Sequence, residues 1–462
     1  MLILHSQDWV GRAIMSQPVR VRATAKDRKR LQWFRPTKET EVDSKDGTVI
    51  ILGAGQAGGQ CAASLRRLGY TGRIVLSGEE AHPPYQRPPL SKTYLSGEID
   101  ESRLWLQPPE TWAEQQVELR LSCRAKRIDR DRQLVIFADG REEAYSHLVL
   151  ATGARVRTLP VPGADLDGVR YLRSIADVDA LKADFAPGKR IAIIGGGYIG
   201  LEAASVASKL GAKPVVIEAM DRLLARVAVP EVSEFYRAAH DTRGVSIRLN
   251  AQVAALKPKS GLFSRGKSVA KVELGNGETI ACDSVLVGIG VVPNVELAAA
   301  CGLATGNGIV VDEVCRTNDP DIYAIGDCAE QENWLTGSRL RLESVPNALD
   351  QGKRAAAAIC GAAEPKPEVP WFWSDQFDLK LQTAGLIGAQ DTTITRAGDD
   401  ETPRSFFHLA DGVLIAADCI NDPQSFMAAK MMIQKRAKPD PAALADPDVT
   451  MKDVMKAAMA EA

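Results

Sequence analysis

The hydrophobic pattern of the chain repeats one arrangement twice. The apolar runs Val49–Leu52 and Ile191–Ile194 have the length of buried strands, and each is followed directly by a glycine-rich hexapeptide, GAGQAG at 53–58 and GGGYIG at 195–200. A helical stretch and a second apolar run follow each hexapeptide. This order of strand, glycine turn, helix and strand predicts a Rossmann-like dinucleotide-binding unit at both places.

The glycines of the two hexapeptides are the first candidates for nucleotide contacts. In such a unit the first glycine permits a tight turn, the second lets the backbone approach a pyrophosphate, and the third lets the helix pack closely on the strand. The N-terminus of the helix then faces the phosphates. The predicted cofactor-binding glycines are Gly53, Gly55 and Gly58 in the first unit and Gly195, Gly197 and Gly200 in the second.

An acidic residue follows the second strand of each unit. Glu79 lies 26 residues after Gly53, and Glu218 lies 23 residues after Gly195. A carboxylate at this place accepts hydrogen bonds from ribose hydroxyls, and at Glu218 it also repels a 2′-phosphate. The second site is therefore predicted to select NADH over NADPH, and Arg222 is interpreted as a solvated surface charge. Two adjacent nucleotide sites favour electron transfer between a flavin and a nicotinamide.

Composition narrows the class of protein. The 462 residues are 45% hydrophobic and 25% charged, with a formal net charge of −2. These values are typical of a globular protein of about three domains, and the charge argues against a nucleic acid partner. No membrane span or signal peptide is indicated. The eight scattered cysteines form no C-x-x-C pair, which predicts no metal site and favours a cytoplasmic location.

Five further motifs, together with the first glycine turn, resemble FAD-dependent NADH:ferredoxin reductases that serve oxygenases. They occur in the same order as in that family, and the resemblance runs from about residue 48 to the C-terminus. The motifs are PPLSK at 88–92, ATG at 151–153, YAIGD at 323–327, ESVPNAL at 343–349 and WFWSDQ at 371–376.

The resemblance implies a role for individual residues around FAD. Asp327 is expected to hold the ribityl chain and Val345 to lie beside the ring, although Asp327 at the end of a strand also fits a helix N-cap. The remaining implied FAD contacts are Ala57, Glu79, Lys92, Ala125 and Arg173.

Three residues are the predicted catalytic residues on the same ground. The resemblance implies that Tyr198 meets the flavin–nicotinamide stack and that Glu202 pairs with Lys92 near flavin N5. Such a pair would hold the hydride-accepting atom in a fixed electrostatic environment. The residues alone favour a solvated charge on a rigid surface loop for Lys92, and for Glu202 an acid stabilised by the helix dipole.

The predicted fold class is α/β, with two Rossmann-like dinucleotide-binding domains in the glutathione-reductase arrangement and a small C-terminal α+β domain. Segments 48–151 and 287–363 are assigned to the FAD-binding domain and 152–286 to the NADH-binding domain. Segment 364–462 is assigned to the C-terminal α+β interface domain, and 1–47 to a disordered tail or an over-long start.

The predicted function is transfer of electrons from NADH through FAD to a 2Fe-2S ferredoxin that supplies a haem-thiolate monooxygenase or a ring-hydroxylating dioxygenase. Thiol catalysis is not expected, because Cys61 is the only cysteine on the first helix. A rubredoxin reductase remains an alternative, as does a flavoprotein like apoptosis-inducing factor, in which NADH binding changes assembly.

The protein is expected to be a monomer or weak homodimer, and two surface features bear on its partner. Arg87, Lys353 and Arg354 are candidates for a basic patch that steers an acidic ferredoxin. Trp371 and Trp373 are predicted either to cover the flavin and provide an electron exit or to anchor the core of the third domain.

Overall fold

A computed structural model describes residues 45–259, 268–388, 390–398, 400 and 402–460. The predicted tail therefore lies outside the described residues except for its last three positions. These three residues lie against the first sheet, since the Thr71 hydroxyl donates to the Lys45 carbonyl at 3.0 Å and the Arg73 amide donates to the Gly47 carbonyl at 2.8 Å.

The first part of the chain contains the first glycine turn and its sheet. The apolar run before the turn forms a strand, and the helix begins three residues after Gly53. The elements are β1 (Thr48–Leu52), α1 (Gln56–Arg67), β2 (Arg73–Ser77), α2 (Pro109–Glu114), β3 (Val117–Arg120), β4 (Ala125–Asp129), β5 (Leu134–Phe137), β6 (Glu142–Ala144) and β7 (His147–Leu150).

The second part repeats the arrangement around the second glycine turn. Its elements are β8 (Ala154–Val156), β9 (Val169–Arg170), α3 (Ile175–Lys182), β10 (Arg190–Ile194), α4 (Tyr198–Lys209), β11 (Lys213–Ile217), α5 (Pro230–Thr242), β12 (Ser246–Arg248), β13 (Val253–Pro258), β14 (Val269–Leu274), β15 (Thr279–Ala281) and β16 (Ser284–Val287).

The chain then returns to the first sheet and continues into a third unit. The returning elements are β17 (Val291–Pro293), α6 (Glu296–Ala300), β18 (Ile309–Val311), β19 (Ile322–Ala324), β20 (Ala329–Glu332), β21 (Arg339–Leu340) and α7 (Val345–Ile359). The third unit consists of β22 (Trp371–Gln376), β23 (Leu379–Gly385), β24 (Thr392–Ala397), β25 (Arg404–Ala410), β26 (Val413–Ile420), α8 (Pro423–Gln434), α9 (Pro441–Ala445) and α10 (Met451–Ala460).

The topology confirms the predicted fold class. The first sheet has the parallel order β19-β7-β1-β2-β3 and the second the parallel order β12-β11-β10-β16-β9. The third is antiparallel, β22-β23-β26-β25-β24, with helices packed on it. Asp411 and Gly412 form the turn that joins β25 to β26, and both residues have the positive φ that such a hairpin requires.

The glycine turns stand at the carboxyl ends of the central strands β1 and β10. Ligands of open parallel sheets bind at this edge, so both nucleotide sites are positioned by the sheets themselves. One continuous apolar cluster joins the second unit to the third unit and to the loop around Leu90, which holds the three parts together at the site. Within the described residues, none of the helices combines the length and the apolar character that crossing a bilayer requires.

Candidate functional site

The first glycine turn has the shape of a pyrophosphate cradle. Gly53 has φ +122°, and a Cβ there would lie 2.0 Å from the carbonyl oxygen of Ala151. A Cβ on Gly58 would lie 2.0 Å from the carbonyl oxygen of Gly53, whereas a Cβ on Gly55 would meet nothing within 4 Å. The first and third glycines therefore permit close packing, and the second leaves the backbone open to a ligand, as an FAD pyrophosphate requires.

The second glycine turn has the same design. Gly195 has φ +109°, and its Cβ would lie 2.4 Å from the carbonyl oxygen of Gly288. A Cβ on Gly200 would lie 2.1 Å from the carbonyl oxygen of Gly195, and one on Gly197 would again meet nothing within 4 Å. Both turns thus fit a dinucleotide, with the middle glycine of each facing open space.

A cavity of about 1230 Å³ extends from the first turn across the first unit to the third. Its volume exceeds that of most small-molecule sites, which suits a ligand as long as FAD. Gly58 does not line it and acts instead by letting α1 approach β1. The predicted residues on its wall are Gly53, Gly55, Ala57, Glu79, Lys92, Ala125, Arg173, Tyr198, Glu202, Asp327 and Val345.

A much smaller cleft of about 60 Å³ lies at the second turn. Gly197 and Glu218 line it, whereas Gly195 and Gly200 shape the turn beneath. The Glu218 carboxylate accepts hydrogen bonds from the backbone amides of Gly196, at 2.7 Å, and Met220, at 2.9 Å. The carboxylate is therefore held at the edge of the turn, where an adenosine ribose would approach.

The two cavities share one wall. Tyr198, the first residue of α4, lines both, as do its neighbour Ile199 and the more distant Leu172. The Tyr198 side chain is buried, its ring lies 4.6 Å from that of Phe372 between centroids, and burial raises the pKa of its phenol well above the usual range. A ligand in either cavity therefore meets the same rigid, uncharged ring.

The predicted pair of Lys92 and Glu202 is present. Lys92 Nζ lies 2.9 Å from Glu202 Oε1, and the side chains are 14% and 5% exposed. Lys92 follows the short 3-10 turn Pro88–Ser91, which the two prolines stiffen, while Glu202 lies in the second turn of α4. The pair is thus largely desolvated on the cavity wall. Its charges would act strongly on the ring of a ligand bound beside it.

A second ion pair crosses the cavity wall. Arg173 donates to Asp327 Oδ2 at 3.1 Å, and both residues line the cavity. Asp327 follows β19 at the carboxyl edge of the first sheet, as its position in the sequence predicted. Glu79 is far more exposed, at 67%, and lies 3.3 Å from Arg124. The wall thus offers charged groups at both ends of a long ligand.

The expectation that Arg222 is a solvated surface charge is wrong. Its guanidinium donates to the carbonyls of Ala225 and Ala228 and to the Ser233 hydroxyl, at 2.7 to 2.9 Å. These bonds tie the loop after β11 to the start of α5. Arg222 is therefore half-buried and structural, and three hydrogen bonds hold its guanidinium in this loop.

Two of the three basic docking candidates have their charge paired within the fold. Arg354 is 7% exposed and contacts Asp350 and Glu364, so its charge is neutralised. Arg87 lines the cavity and donates to Glu80 at 2.6 Å. Burial, which the sequence pattern does not reveal, removes Arg354 from the surface, while the Arg87 side chain, 29% exposed, faces the cavity and Glu80. Lys353 remains half-buried on α7.

The two tryptophans separate into the two roles that the sequence left open. Trp373 lines the cavity, whereas Trp371 packs against Phe426 of the third unit. Their rings lie 5.7 Å apart between centroids. Lys430 Nζ lies 5.4 Å from the Trp371 ring centroid, on the side of the third unit. A continuous aromatic contact therefore runs from the cavity into the third unit.

The cysteines have no catalytic environment. Cys61 and Cys328 are fully buried, and burial raises the pKa of both thiols above the usual range. The Cys328 thiol donates to the carbonyls of Leu150 and Ile325. A thiolate is the reactive form of cysteine, so these buried thiols are unsuited to redox catalysis.

Several residues of the site were missed by sequence reasoning. Arg341 and Glu343 form a buried pair beside the cavity, and burial raises the pKa of Glu343 to about 7 despite the arginine. Ser91 and Ser374 both contact Glu202. Alternation along β22 was the available signal for Ser374, because Phe372, Ser374 and Gln376 face inward while the residues between them are more exposed.

Comparisons with known proteins agree with this arrangement. Residues 47–352 match the family model of pyridine nucleotide-disulphide oxidoreductases, and residues 371–455 match a reductase C-terminal model. The chain is 45% identical to the probable ferredoxin reductase CtmF of Castellaniella defragrans over 87% of the chain and 97% of the relative. It is 42% identical to rhodocoxin reductase of Rhodococcus erythropolis, over 88% and 93%.

A solved structure extends the similarity to three dimensions. The chain matches the crystal structure of a covalent putidaredoxin reductase–putidaredoxin complex with a TM-score of 0.86 and 39% identity. The match covers 90% of this chain and 99% of that one. The similarity therefore includes the third unit as well as the two nucleotide-binding units.

Proposed function

The chain belongs to the pyridine nucleotide-disulphide oxidoreductase family, and we propose that it is the NADH-dependent reductase of a 2Fe-2S ferredoxin that supplies an oxygenase. It is an oxidoreductase whose cofactors are FAD and NAD(H). One observation carries the assignment: two dinucleotide turns open into cavities that share Tyr198 as a wall. A ligand in one cavity is thereby brought against a ligand in the other.

The large cavity is assigned to FAD. Gly53, Gly55 and the start of α1 would receive the pyrophosphate, and Asp327, held by Arg173, would receive the ribityl hydroxyls. Val345 begins α7, whose N-terminus would face the ring. When bound, FAD supplies the conversion of a two-electron hydride into single electrons.

The small cleft is assigned to exchangeable NADH. Glu218 is positioned by two backbone amides, and its charge would repel the 2′-phosphate of NADPH. No general acid or base is needed for hydride transfer itself. Tyr198, Lys92 and Glu202 instead shape and polarise the place where the nicotinamide would meet the flavin.

Electrons leave through a protein surface in this proposal. The described cysteines offer no redox pair, which separates this chain from reductases that pass electrons to a disulfide. Trp373 and Trp371 lead from the cavity into the third unit, and Lys353 is the remaining basic candidate for steering an acidic ferredoxin. A monomer or weak homodimer is sufficient, because every proposed site residue lies in one chain.

The test is steady-state oxidation of NADH by the purified flavoprotein with a panel of 2Fe-2S ferredoxins and rubredoxins. Fast reduction of at least one 2Fe-2S protein, and slow reduction of every rubredoxin, is the expected result. Preference for a rubredoxin would replace the proposed partner. Slow reduction of all acceptors together with NADH-dependent dimerisation would favour an NADH-sensing role like that of apoptosis-inducing factor and overturn the proposal.

A further inference from the structure

Glu202 receives hydrogen bonds from two serine side chains in addition to its ion pair with Lys92. Its Oε1 receives Lys92 Nζ at 2.9 Å and the Ser374 hydroxyl at 2.6 Å, and its Oε2 receives the Ser91 hydroxyl at 2.5 Å. The three donors come from two parts of the chain, the loop of the first unit and strand β22 of the third, while Glu202 belongs to the second. All three units thus meet at one carboxylate that is 4% exposed.

The contact through Ser374 continues deeper into the protein. Gln376 Nε2 donates to the Ser374 hydroxyl oxygen at 3.1 Å, and Gln376 Oε1 lies 2.8 Å from His240 Nε2 on α5. Ser374, Gln376 and His240 are each completely buried. Burial lowers the pKa of His240 to about 4, so the imidazole is neutral near pH 7.

The direction of these hydrogen bonds is consistent along the chain. His240 donates to the Gln376 oxygen, the Gln376 amide donates to Ser374, and Ser374 donates to Glu202. Hydrogen bonds arranged head to tail polarise one another in a low-dielectric interior. Every dipole in the series therefore points its positive end toward the Glu202 carboxylate, which would be costly to bury without hydrogen-bond donors.

We propose that Ser374 and Ser91 are positioning residues that hold the Glu202 carboxylate in place against Lys92, so that the C-terminal unit contributes to the flavin site. The inference rests on the proposed role of the Lys92–Glu202 pair. Without Ser374, the carboxylate loses one of the two donors on Oε1, and Gln376 Nε2 loses its acceptor. Hydrogen bonds to charged groups have larger energies than neutral ones, so losing this one matters. Because Lys92 contacts the same Glu202 oxygen, a shift of the carboxylate also changes the position of Lys92.

The test compares Ser374→Ala, Ser91→Ala, Glu202→Gln and the double variant Ser374→Ala/Glu202→Gln, each as the FAD-loaded protein. Ser405→Ala is the matched control, because Ser405 is also completely buried in the third unit but donates to Asp422, at 2.9 Å, away from the cavity. The measurements are the rate of flavin reduction by NADH in rapid mixing, the midpoint potential of the bound flavin, and the melting temperature.

We expect Ser374→Ala and Ser91→Ala each to slow flavin reduction about tenfold, the size of one hydrogen bond to a charge. Their midpoint potentials should shift in the direction of Glu202→Gln, and by less. In the Glu202→Gln background, Ser374→Ala should have no further effect, since there is no carboxylate charge left to hold. Ser405→Ala should lower the melting temperature without changing the rate or the potential.

Three other outcomes have distinct meanings. If Ser374→Ala behaves as Ser405→Ala does, the serine only joins the units, and the inference is overturned. The same holds if its effect is undiminished in the Glu202→Gln background. If Glu202→Gln itself leaves reduction unchanged, the proposed role of the ion pair fails first. If Ser374→Ala does not fold, the reduction rate and midpoint potential of Ser91→Ala provide the test instead, because Ser91 contacts the same carboxylate from the loop of the first unit.

Discussion

The two glycine turns have nearly the same backbone but very different surroundings. In both turns, the first glycine has a positive φ and lies against the carbonyl of a residue that directly follows a neighbouring strand. The middle glycine faces open space. The first turn opens into about 1230 Å³ lined by charged groups of the first two units and by Phe372 and Trp373 of the third. The second opens into about 60 Å³. The turn therefore makes a dinucleotide site, while the surroundings decide how firmly the ligand is held.

Under the proposed function, this difference separates a resident cofactor in the first cavity from an exchangeable one in the second cleft. A ligand of the first cavity would be enclosed by α7, the loop before Lys92 and strand β22, so its release requires several elements to move. A ligand of the second cleft would contact mainly the turn, Glu218 and Tyr198. Preorganised enclosure of this kind slows dissociation more than it speeds association.

The largest effect is expected from a substitution that disrupts only the first glycine turn. Gly53→Ala places a Cβ 2.0 Å from the Ala151 carbonyl oxygen at a φ of +122°, so the turn must shift. We expect less than about a tenth of the normal flavin per chain, measured by absorbance after gel filtration. Gly140→Ala is the control, since Gly140 has φ +88° but no neighbour within 4 Å. Full flavin content in Gly53→Ala would contradict the assignment of the first turn.

The next effect concerns the shared wall rather than either turn. Lys92→Met should keep the flavin and slow its reduction by NADH about 100-fold, because a preorganised charge at the reacting centre is removed. Stopped-flow absorbance measures the rate. Lys209→Met removes a lysine from an exposed pair with Glu98 and should leave the rate unchanged. An equal rate in Lys92→Met and Lys209→Met would exclude a catalytic role for Lys92.

Acid should weaken the contact of the second unit with the third. His240 has a pKa of about 4 in the folded protein and near 6.5 when unfolded, so between these values only the unfolded state binds the proton. Stability is thus lost as pH falls through this range. Between pH 7 and pH 5, the wild type should lose about 2 kcal/mol more than His240→Gln. Urea denaturation checks this, and parallel losses would refute the buried neutral histidine.

The smallest effect distinguishes the two acids that follow the second strand of each unit. Glu218→Arg should shift the ratio of kcat/KM for NADH over NADPH about tenfold toward NADPH, since repulsion of the 2′-phosphate is replaced by attraction. Glu79→Arg is the corresponding change at the first turn. It should weaken flavin retention and leave that ratio unaltered. A shift in both variants, or in neither, would remove the distinction between the sites.

The local features of the fold were predictable from the sequence, and those that depend on burial were not. Strand, turn and helix around Gly53 and Gly195 follow from apolar runs and backbone constraints that act within a few residues. The pair of Lys92 and Glu202 was predicted only through the family resemblance, because 110 positions separate the two residues and periodicity does not encode such distances.

Charged side chains illustrate the limit most clearly. Arg222 and Arg354 have sequence surroundings typical of surface residues. In the structure, however, Arg222 donates to carbonyls of its own loop and to a hydroxyl at the start of α5, and Arg354 is paired with two carboxylates. Ser374 and Gln376 stand in an alternating strand that indicates which face is buried. The same pattern cannot indicate that the buried face meets a carboxylate of another unit.

The most direct test of the central claim blocks the second turn and leaves the first intact. Gly195→Ala places a Cβ 2.4 Å from the Gly288 carbonyl oxygen. In anaerobic rapid mixing, the variant should retain its flavin and be reduced normally by dithionite, while reduction by NADH slows by more than about 100-fold, because the strained turn no longer binds the dinucleotide. Loss of flavin from this variant, or normal reduction by NADH, would contradict the division between a resident and an exchangeable site.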